Sequence, residues 1–386
     1  MKSAAIISEF NPFHNGHKYL IDCAKNNGAE IVIAIMSGNF VQRGETAVFS
    51  KFERATAALK NGIDLVVELP ISFAMSGAQN FAFGGVNLAN SLGAEMLVFG
   101  SESGNTKALK QTAERLKSDE LNNVIKQYLK TGITYASARE KAFDDIYGES
   151  EVLNNPNDIL GIEYITQIIE NKYKIEPIAI SRSGVLHDSD KPQGNFASAS
   201  KIRECIKKND NGFSKYVPNN LKDQYEELIK KGLYSDITAL EKSILLKLRS
   251  LSAEQLRNIP DVSEGLENKI ISAAKQSVTL KELYENIKSK RYTLARIKRI
   301  VLLAFLGITN EFYKQPIPYA RVLGTTEKGI EFIKNGEFKI PVVLRAKELA
   351  NNKLFLLETQ ATDTFNLSLH SPVCSGEDLT HKIIKV

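Results

Sequence analysis

The feature that most constrains the fold is a series of short apolar segments, rich in β-branched residues, in the first 200 residues. They span residues 4–7, 31–36, 64–69, 95–99 and 175–180. Runs of this length are typical of strands buried on both faces. Stretches with helical spacing separate them, at residues 17–26, 51–61, 84–92 and 158–171. This alternation predicts a Rossmann-like, doubly wound parallel sheet of the α/β class.

The second half of the chain has a different pattern. A chain of 386 residues suggests two or three domains, at about 150 residues each. We predict a first domain over residues 1–208, with a helical insertion at about 107–149, and a second over residues 209–386. The second is expected to be mainly helical with a small α+β tail, in which residues 341–344 and 354–357 resemble short strands.

Composition excludes several classes of protein. The 50 Lys and Arg residues exceed the 45 Asp and Glu residues, for a net charge of +5, which permits an RNA or nucleotide partner without requiring one. Cys23, Cys205 and Cys374 are far apart, so a zinc site or a disulfide framework is not expected, and the pattern suits a reducing cytosol. No apolar segment approaches the ~18 residues of a membrane span. We expect a cytoplasmic protein with no dedicated metal site.

The densest chemical signal lies at residues 7–18, where the first predicted strand ends and the first helix begins. Ligands of open α/β sheets bind at the carboxyl ends of strands, and a helix N-terminus there suits phosphate. His14 and His17 are three positions apart, and Gly16 lets a ligand approach the backbone. Two imidazoles can donate hydrogen bonds to charge that develops on an α-phosphate. A bare His-x-Gly-His also arises by chance, but its position after the strand favours a catalytic role for both histidines.

These residues resemble a known family. His14-Asn15-Gly16-His17 resembles the HxGH signature of the nucleotidyltransferase superfamily, which includes adenylyltransferases and class I aminoacyl-tRNA synthetases. Longer blocks resemble the bacterial tRNA(Met) cytidine acetate ligase family, and the resemblance covers nearly the whole chain. These blocks are residues 9–17, 36–45, 64–70, 99–102, 156–164, 290–293 and 321–324.

The resemblance implies an activity. The family activates acetate with ATP to give acetyl-adenylate, then transfers the acetyl group to N4 of the wobble cytidine of elongator tRNA(Met), giving N4-acetylcytidine. It implies that the first domain is a nucleotidyltransferase-like ATP-binding domain and that the second binds tRNA. The expected partners are ATP, acetate and elongator tRNA(Met), with Mg²⁺ carried by the nucleotide, and neither DNA nor a membrane.

The resemblance also implies the ATP-binding residues. They are Ile7, Ser8, Glu9, Phe10, Asn11, Pro12, Phe13, His14, Asn15, Gly16, His17, Lys18, Tyr19, Leu20, Gly100, Asn157 and Arg182. The residue chemistry agrees, because Gly100 follows a strand and can admit adenine, Asn157 lies in a turn before a helix, and the Arg182 guanidinium can pair with phosphate. Ordinary alternatives are a turn glycine, a helix cap and a surface charge. Asp158 follows Asn157, and the ATP contact is assigned to Asn157.

Two further groups of residues are candidates for phosphate binding. Residues 197–203 resemble the Ser/Thr-rich loop that holds the triphosphate in many HxGH nucleotidyltransferases, which makes Ser200 and Lys201 candidates; the alternative is an ordinary serine-capped helix. Arg43, Lys51 and Arg54 follow the second strand. They could meet acetyl-adenylate or tRNA phosphate, or form a solvated basic face.

The best RNA-binding candidate is the segment 288–299, in which six of twelve residues are cationic and Tyr292 could stack on a base. Lys290, Arg291, Arg296, Lys298 and Arg299 are the predicted tRNA contacts. The alternative is the solvated side of an amphipathic helix. Two other functions stay open from sequence: a small-molecule adenylyltransferase of the HxGH superfamily, and a non-catalytic RNA-binding protein.

Overall fold

The computed structural model describes residues 1–181, 194–263, 265–313 and 315–386. Within them, eight strands form one sheet in the order β10-β8-β5-β2-β1-β6-β7, with β9 on β8, and β3 and β4 form a separate hairpin. The strands are β1 Ser3–Ser8, β2 Ile31–Ser37, β3 Phe40–Val41, β4 Glu45–Thr46, β5 Leu65–Leu69, β6 Met96–Ser101, β7 Glu176–Ser181, β8 Ala320–Thr325, β9 Val342–Val343 and β10 Ile384–Lys385.

Helices cover both faces of the sheet and build most of the second half. They are α1 Asn15–Asn26, α2 Lys51–Leu59, α3 Ile71–Ala74, α4 Ala78–Ser91, α5 Thr106–Arg115, α6 Asp119–Leu129, α7 Tyr135–Tyr147, α8 Pro156–Glu170, α9 Ala199–Lys207, α10 Lys222–Lys230, α11 Glu241–Ser250, α12 Ala253–Arg257, α13 Leu266–Gln276, α14 Leu280–Ile287, α15 Leu294–Leu306, α16 Asn310–Tyr313, α17 Glu327–Asn335, α18 Lys353–Asn366 and α19 Glu377–Thr380. In the part of the chain described, none of them combines the length and the apolar character needed to cross a membrane.

The central strands are buried on both faces, as their sequences predict. Alternate side chains of a strand point to opposite faces. Ile33 and Ile35 of β2 therefore pack into one apolar core, and Val32 and Ala34 pack into the other. The five predicted strands all form, and β5, β2, β1, β6 and β7 are mutually parallel. The doubly wound α/β class is confirmed.

The strand order places a switch point beside β1. From β1 the chain runs to β2 and β5 on one side, and then to β6 and β7 on the other. Ala5 pairs with Leu97, so Ser8, the last residue of β1, lies beside Gly100, the last but one of β6, at the same edge of the sheet. Ligands of open α/β sheets bind in the crevice at such a point.

The tail departs from expectation in two ways. Strand β8 adds to the sheet antiparallel to β5, so residues 320–325 complete a sheet begun by the first 200 residues. Residues 354–357, predicted as strand-like, lie in α18, and that prediction is wrong. The Asn352 side chain caps this helix by accepting hydrogen bonds from two backbone N–H groups, and a short apolar run alone does not separate a strand from a buried helix segment. The boundary at residue 208 stays a prediction.

A buried network of four charged side chains ties the tail to the sheet. Lys51 Nζ lies 2.8 Å from Glu68 Oε1 and 2.8 Å from Asp378 Oδ1. Arg321 completes the network, 2.9 Å from Glu68 Oε2 and 2.8 Å from Asp378 Oδ1. All four side chains are at most 5% exposed, so each charge depends on its partners for the interactions that water would otherwise supply.

We expect Lys51→Met to destabilise the protein by about 3–5 kcal/mol, because Glu68 and Asp378 would then share one buried cation. Urea denaturation followed by circular dichroism measures this free energy of unfolding. The matched control is Lys353→Met, whose ion pair with Glu311 is long, at 3.9 Å, and exposed. The control is expected to stay within about 1 kcal/mol of the unsubstituted protein. Equal effects of the two substitutions would contradict the importance of the buried network.

Candidate active site

A buried arginine anchors the start of the loop between β1 and α1. Arg54 is 0% exposed, and its guanidinium donates hydrogen bonds to the carbonyl oxygens of Glu9 at 2.6 Å and Ser37 at 3.0 Å. Burial lowers the pKa of Arg54 to about 10, so it is still charged at neutral pH. Arg54 therefore fixes the ends of β1 and β2. Lys51 belongs to the buried network, and the interpretation of these two cations as substrate contacts or a solvated face is wrong.

His14 and His17 cap the helix that they begin. His14 Nδ1 accepts a hydrogen bond from Gly16 N–H at 3.0 Å. His17 Nδ1 accepts one from His14 N–H at 3.2 Å, which completes a capping box made of two histidines. The rings stack with centroids 3.8 Å apart. The N-terminal backbone of α1 therefore orients both imidazoles.

This capping selects one tautomer of each ring. A nitrogen that accepts a hydrogen bond carries no proton, so in the neutral ring the proton resides on Nε2. Each imidazole thus presents a donor on the side remote from the helix backbone. Two stacked donors at one helix N-terminus suit an anion, because the helix dipole also favours negative charge there.

The histidines lie where two lobes of one cleft meet. A narrow lobe of about 170 Å³ lies against β1, β6 and β7, and a wide lobe of about 440 Å³ extends toward α9 and α15. Both are lined by Ile7, Ser8, His14, His17, Asn157, Leu160 and Tyr164. The cleft opens at the sheet's switch point.

Most of the residues predicted to bind ATP line this cleft. They are Ile7, Ser8, Glu9, Phe10, Asn11, His14, Gly16, His17, Tyr19, Leu20, Gly100 and Asn157. Four lie beside it instead: Pro12, Phe13, Asn15 and Lys18. Phe13 is 0% exposed in the core, the Asn15 amide donates to Asn195 O, and Lys18 pairs with Asp22 one turn along α1. Arg182 lies outside the described residues.

Asn157 and Asp158 have different environments in the structure. Asn157 lines both lobes, and its Nδ2 donates to Glu102 Oε1 at 2.5 Å. Asp158 is 0% exposed and accepts hydrogen bonds from Ser101 and Ser103, which shapes the turn after β6. Asn157 is thus the neighbour that faces the cleft.

The start of α9 forms one wall of the wide lobe. Ser198 caps the helix, because its Oγ accepts a hydrogen bond from Lys201 N–H at 3.2 Å. Ser200 lines the lobe, whereas Lys201 Nζ pairs with Glu204 at 3.0 Å and is not among the described lining residues. Arg203, which the sequence reading missed, also lines the lobe and donates to Asn11 O at 2.8 Å. Its position three residues after Ser200, on the same helix, was the available signal.

Glu9 is the one acidic side chain among the described residues that line the two lobes. Its Oε1 accepts a hydrogen bond from Gln42 N–H at 2.9 Å. Burial raises the pKa of Glu9, and this exceeds the opposing effects of the Gln42 N–H and the cations Arg203, Arg43 and Arg54. In the same described residues, no group of three or more His, Cys, Asp or Glu side chains is arranged to hold a metal ion.

The predicted RNA-binding residues differ in how far their side chains are exposed to solvent. Lys290 and Arg291 are exposed just before α15. Arg296 donates to Asp261 O at 2.8 Å, and Lys298 Nζ lies 2.7 Å from Glu45 Oε1. Arg299 lines the wide lobe, where burial lowers its pKa, and it donates to Gln42 O at 3.2 Å.

Comparison with known proteins agrees with this geometry. The sequence model of the family described as HIGH Nucleotidyl Transferase matches residues 1–378. The chain is 39% identical over 397 residues, 99% of each chain, to a tRNA(Met) cytidine acetate ligase of Thermoanaerobacter sp.. It is 39% identical to another of that name from Thermosipho africanus, covering 96% of this chain and 91% of the relative.

Solved structures agree as well. Thermotoga maritima TmcAL, in a crystal structure bound with alpha-thio ATP, is 31% identical with a TM-score of 0.91, and each chain is fully covered (100%). Its apo form has a TM-score of 0.93. The fold and the paired histidines thus define a HIGH nucleotidyltransferase. Within that class, the chain belongs to the tRNA(Met) cytidine acetate ligase family.

We expect Gly16→Ala to displace the His14 ring, because an added Cβ would lie 2.9 Å from His14 Cε1. Proton–nitrogen correlation spectra of the histidine rings should report both imidazoles as Nε2-protonated in the unsubstituted protein. The His14 signals should change in the variant.

The matched control for this substitution is Gly77→Ser, since a Cβ at Gly77 meets no atom within 4 Å. Its histidine spectra should be unaltered. An Nδ1-protonated ring for both histidines in the unsubstituted protein would contradict the capping geometry.

Proposed function

We propose that this protein is an ATP-dependent acetate ligase that forms acetyl-adenylate and transfers the acetyl group to N4 of the wobble cytidine of elongator tRNA(Met). The observation that carries the proposal is the histidine pair at the junction of two lobes. The chain that carries this pair is related over 99% of its length to a tRNA(Met) cytidine acetate ligase. The narrow lobe would take the adenosine of ATP, and the wide lobe would take its phosphates in the first step and the acceptor in the second.

The two lobes suit different parts of ATP. The narrow lobe is largely apolar, with Leu20, Phe99 and Ile180 in its walls, which suits an adenine ring near Gly100. The wide lobe has the α9 N-terminus and Arg203, which suit phosphate oxygens. Adenosine in the narrow lobe and pyrophosphate in the wide one would place the α-phosphate beside the two histidines.

Adenylation needs positioning and charge stabilisation rather than a covalent intermediate. An acetate oxygen attacks the α-phosphorus, and the bond to the bridging oxygen of pyrophosphate breaks. Negative charge on the non-bridging oxygens increases in the transition state. Nε2–H donors of His14 and His17, fixed by the helix backbone, would stabilise that charge without reorganising.

A Mg²⁺ ion would screen the ATP phosphates, as in other phosphoryl-transfer enzymes. Glu9 is the one carboxylate that the described residues contribute to the lining of the cleft. Phosphate oxygens of ATP and water would therefore supply the ion's ligands.

In the second step the nucleophile is N4 of cytidine, and it attacks the acyl carbon instead of the α-phosphorus. The exocyclic amine of cytosine is a weak nucleophile, because its lone pair is delocalised into the ring. A mixed anhydride of acetate and AMP has a good leaving group and an electrophilic acyl carbon. The wide lobe is where the cytidine would enter, since its lining includes Ala295, near the start of α15.

Lys290 and Arg291 are the strongest candidates for tRNA contact, because both are exposed just before α15. Arg299 is deeper and would meet a group inside the cleft. Phosphate contacts of this kind supply affinity rather than base choice. Arg296 and Lys298 have the internal partners Asp261 O and Glu45, so we expect them to contribute less to tRNA binding than Lys290 and Arg291.

We expect His14→Ala and His17→Ala each to reduce acetate-dependent exchange of pyrophosphate into ATP by about 10²–10³-fold, because each removes a fixed donor from the α-phosphate. Exchange of labelled pyrophosphate, with and without acetate, measures the adenylation step alone.

The control is His370→Ala, since His370 is exposed and stacks on Tyr234 away from the cleft. It should retain exchange. Full exchange in both catalytic variants would contradict the assignment, and exchange supported by another carboxylic acid but not by acetate would move the proposal to a different acid.

We expect the double substitution Lys290→Ala, Arg291→Ala to weaken tRNA binding and to lower the slope of log affinity against log salt by about one to two, because each phosphate contact releases condensed counterions. Filter binding at several salt concentrations measures the slope. Lys328→Ala with Lys347→Ala removes the same charge from exposed positions elsewhere and should leave the slope unchanged. Equal losses in the two doubles would indicate a non-specific effect of net charge.

A further inference from the structure

Glu9 occupies a position that adenylation does not explain. It follows β1 directly, lines the wide lobe and is absent from the lining of the narrow one. Its immediate neighbour Ser8 lines both lobes, as do His14 and His17. The Glu9 carboxylate therefore lies next to the junction, on the side where the acceptor would enter.

A phosphate-binding role does not suit this side chain. Phosphate oxygens and a carboxylate are both negative and repel each other at contact distance. The groups fit to bind phosphate in this lobe are Arg203 and the N-terminus of α9. A carboxylate among them must accept a proton, a hydrogen bond or a cation.

The acetyl-transfer step needs a proton acceptor. When N4 of cytidine bonds to the acyl carbon, the nitrogen becomes acidic and must lose a proton before a neutral amide can form. A general base within hydrogen-bond reach contributes typically about 10²–10⁴-fold to such a step. Both imidazoles are unsuited to this role, because each Nδ1 already accepts a backbone N–H and each Nε2 carries a proton.

We propose that Glu9 is the general base of acetyl transfer, a role that rests on the proposed ligase function. Its Oε1 is fixed by Gln42 N–H, and Oε2 has no hydrogen-bond donor among the described residues. N4 attacks the acyl carbon, Oε2 takes the N4 proton, and the bond between the acyl carbon and the AMP oxygen breaks. AMP leaves with that electron pair, and the proton passes from Glu9 to solvent.

Electrostatics around Glu9 agree with the role. Burial raises its pKa, which makes the carboxylate a stronger base than one in water. Among the described residues, four titratable or charged groups interact electrostatically with it: Arg54 of α2, Arg43 after β3, Arg203 of α9 and Tyr164 of α8. Arg299 of α15, His14 before α1 and His17 of α1 line the same lobe. The cations Arg203, Arg43 and Arg54 oppose this rise in the pKa.

The test measures adenylation and acetyl transfer separately in Glu9→Gln. Glutamine has nearly the same shape as glutamate, and its side-chain oxygen can still accept the hydrogen bond from Gln42 N–H. We expect acetate-dependent pyrophosphate exchange within about threefold of the unsubstituted enzyme, and acetyl transfer to tRNA(Met) reduced by about 10²-fold or more. In the unsubstituted enzyme, single-turnover transfer should rise with pH through the Glu9 pKa, since only the ionised form accepts a proton. That rise should be lost in Glu9→Gln and retained in Glu9→Asp.

Glu348→Gln is the matched control, because it removes a carboxylate from an exposed position that is not part of the lining of either lobe. It should keep both half-reactions. Equal losses of exchange and transfer in Glu9→Gln would overturn the proposal in favour of a role in ATP or Mg²⁺ binding, and unchanged transfer would overturn it outright. Absence of acetate-dependent exchange in the unsubstituted enzyme would instead overturn the proposed ligase function, and this role with it.

Discussion

The whole site depends on the way two backbone N–H groups at the start of α1 bind two imidazole rings. Gly16 N–H and His14 N–H would otherwise be among the unsatisfied donors of a helix N-terminus. By accepting these hydrogen bonds, the histidines satisfy the helix and fix their own orientation and tautomer. Stability and catalysis thus require the same contact. This explains why Gly16, whose missing Cβ leaves room for the His14 ring, lies between them.

The hairpin of β3 and β4 links this loop to the helical second half. Gln42 donates its N–H to Glu9 and offers its carbonyl oxygen to Arg299. Gly44 has φ of +72° and approaches α15 so closely that a Cβ would lie 2.4 Å from Arg299 N. The segment that carries the candidate tRNA-binding residues is therefore seated on the same hairpin that holds the carboxylate of the cleft. The hairpin therefore positions both the candidate tRNA-binding segment and Glu9.

The sequence predicted the sheet well because strand burial and β-branched composition coincide in the core, as in Ile31–Ser37. The sequence also predicted where the histidine loop lies. A motif that follows a parallel strand lies at the carboxyl edge of the sheet, which is where this fold binds ligands. The buried roles of Lys51 and Arg54 were missed, because their partners Asp378 and Gly38 are fixed only by the tertiary fold. The strand error at residues 354–357 has a local cause, as Asn352 caps a helix there.

The most direct test of the central claim uses radiolabelled acetate, ATP, Mg²⁺ and an elongator tRNA(Met) transcript with the purified protein, followed by digestion and separation of the nucleosides. The account predicts label on the wobble cytidine as N4-acetylcytidine, and its loss with His17→Ala. Label that stays on AMP and never reaches the tRNA, or label on another nucleoside, would contradict it.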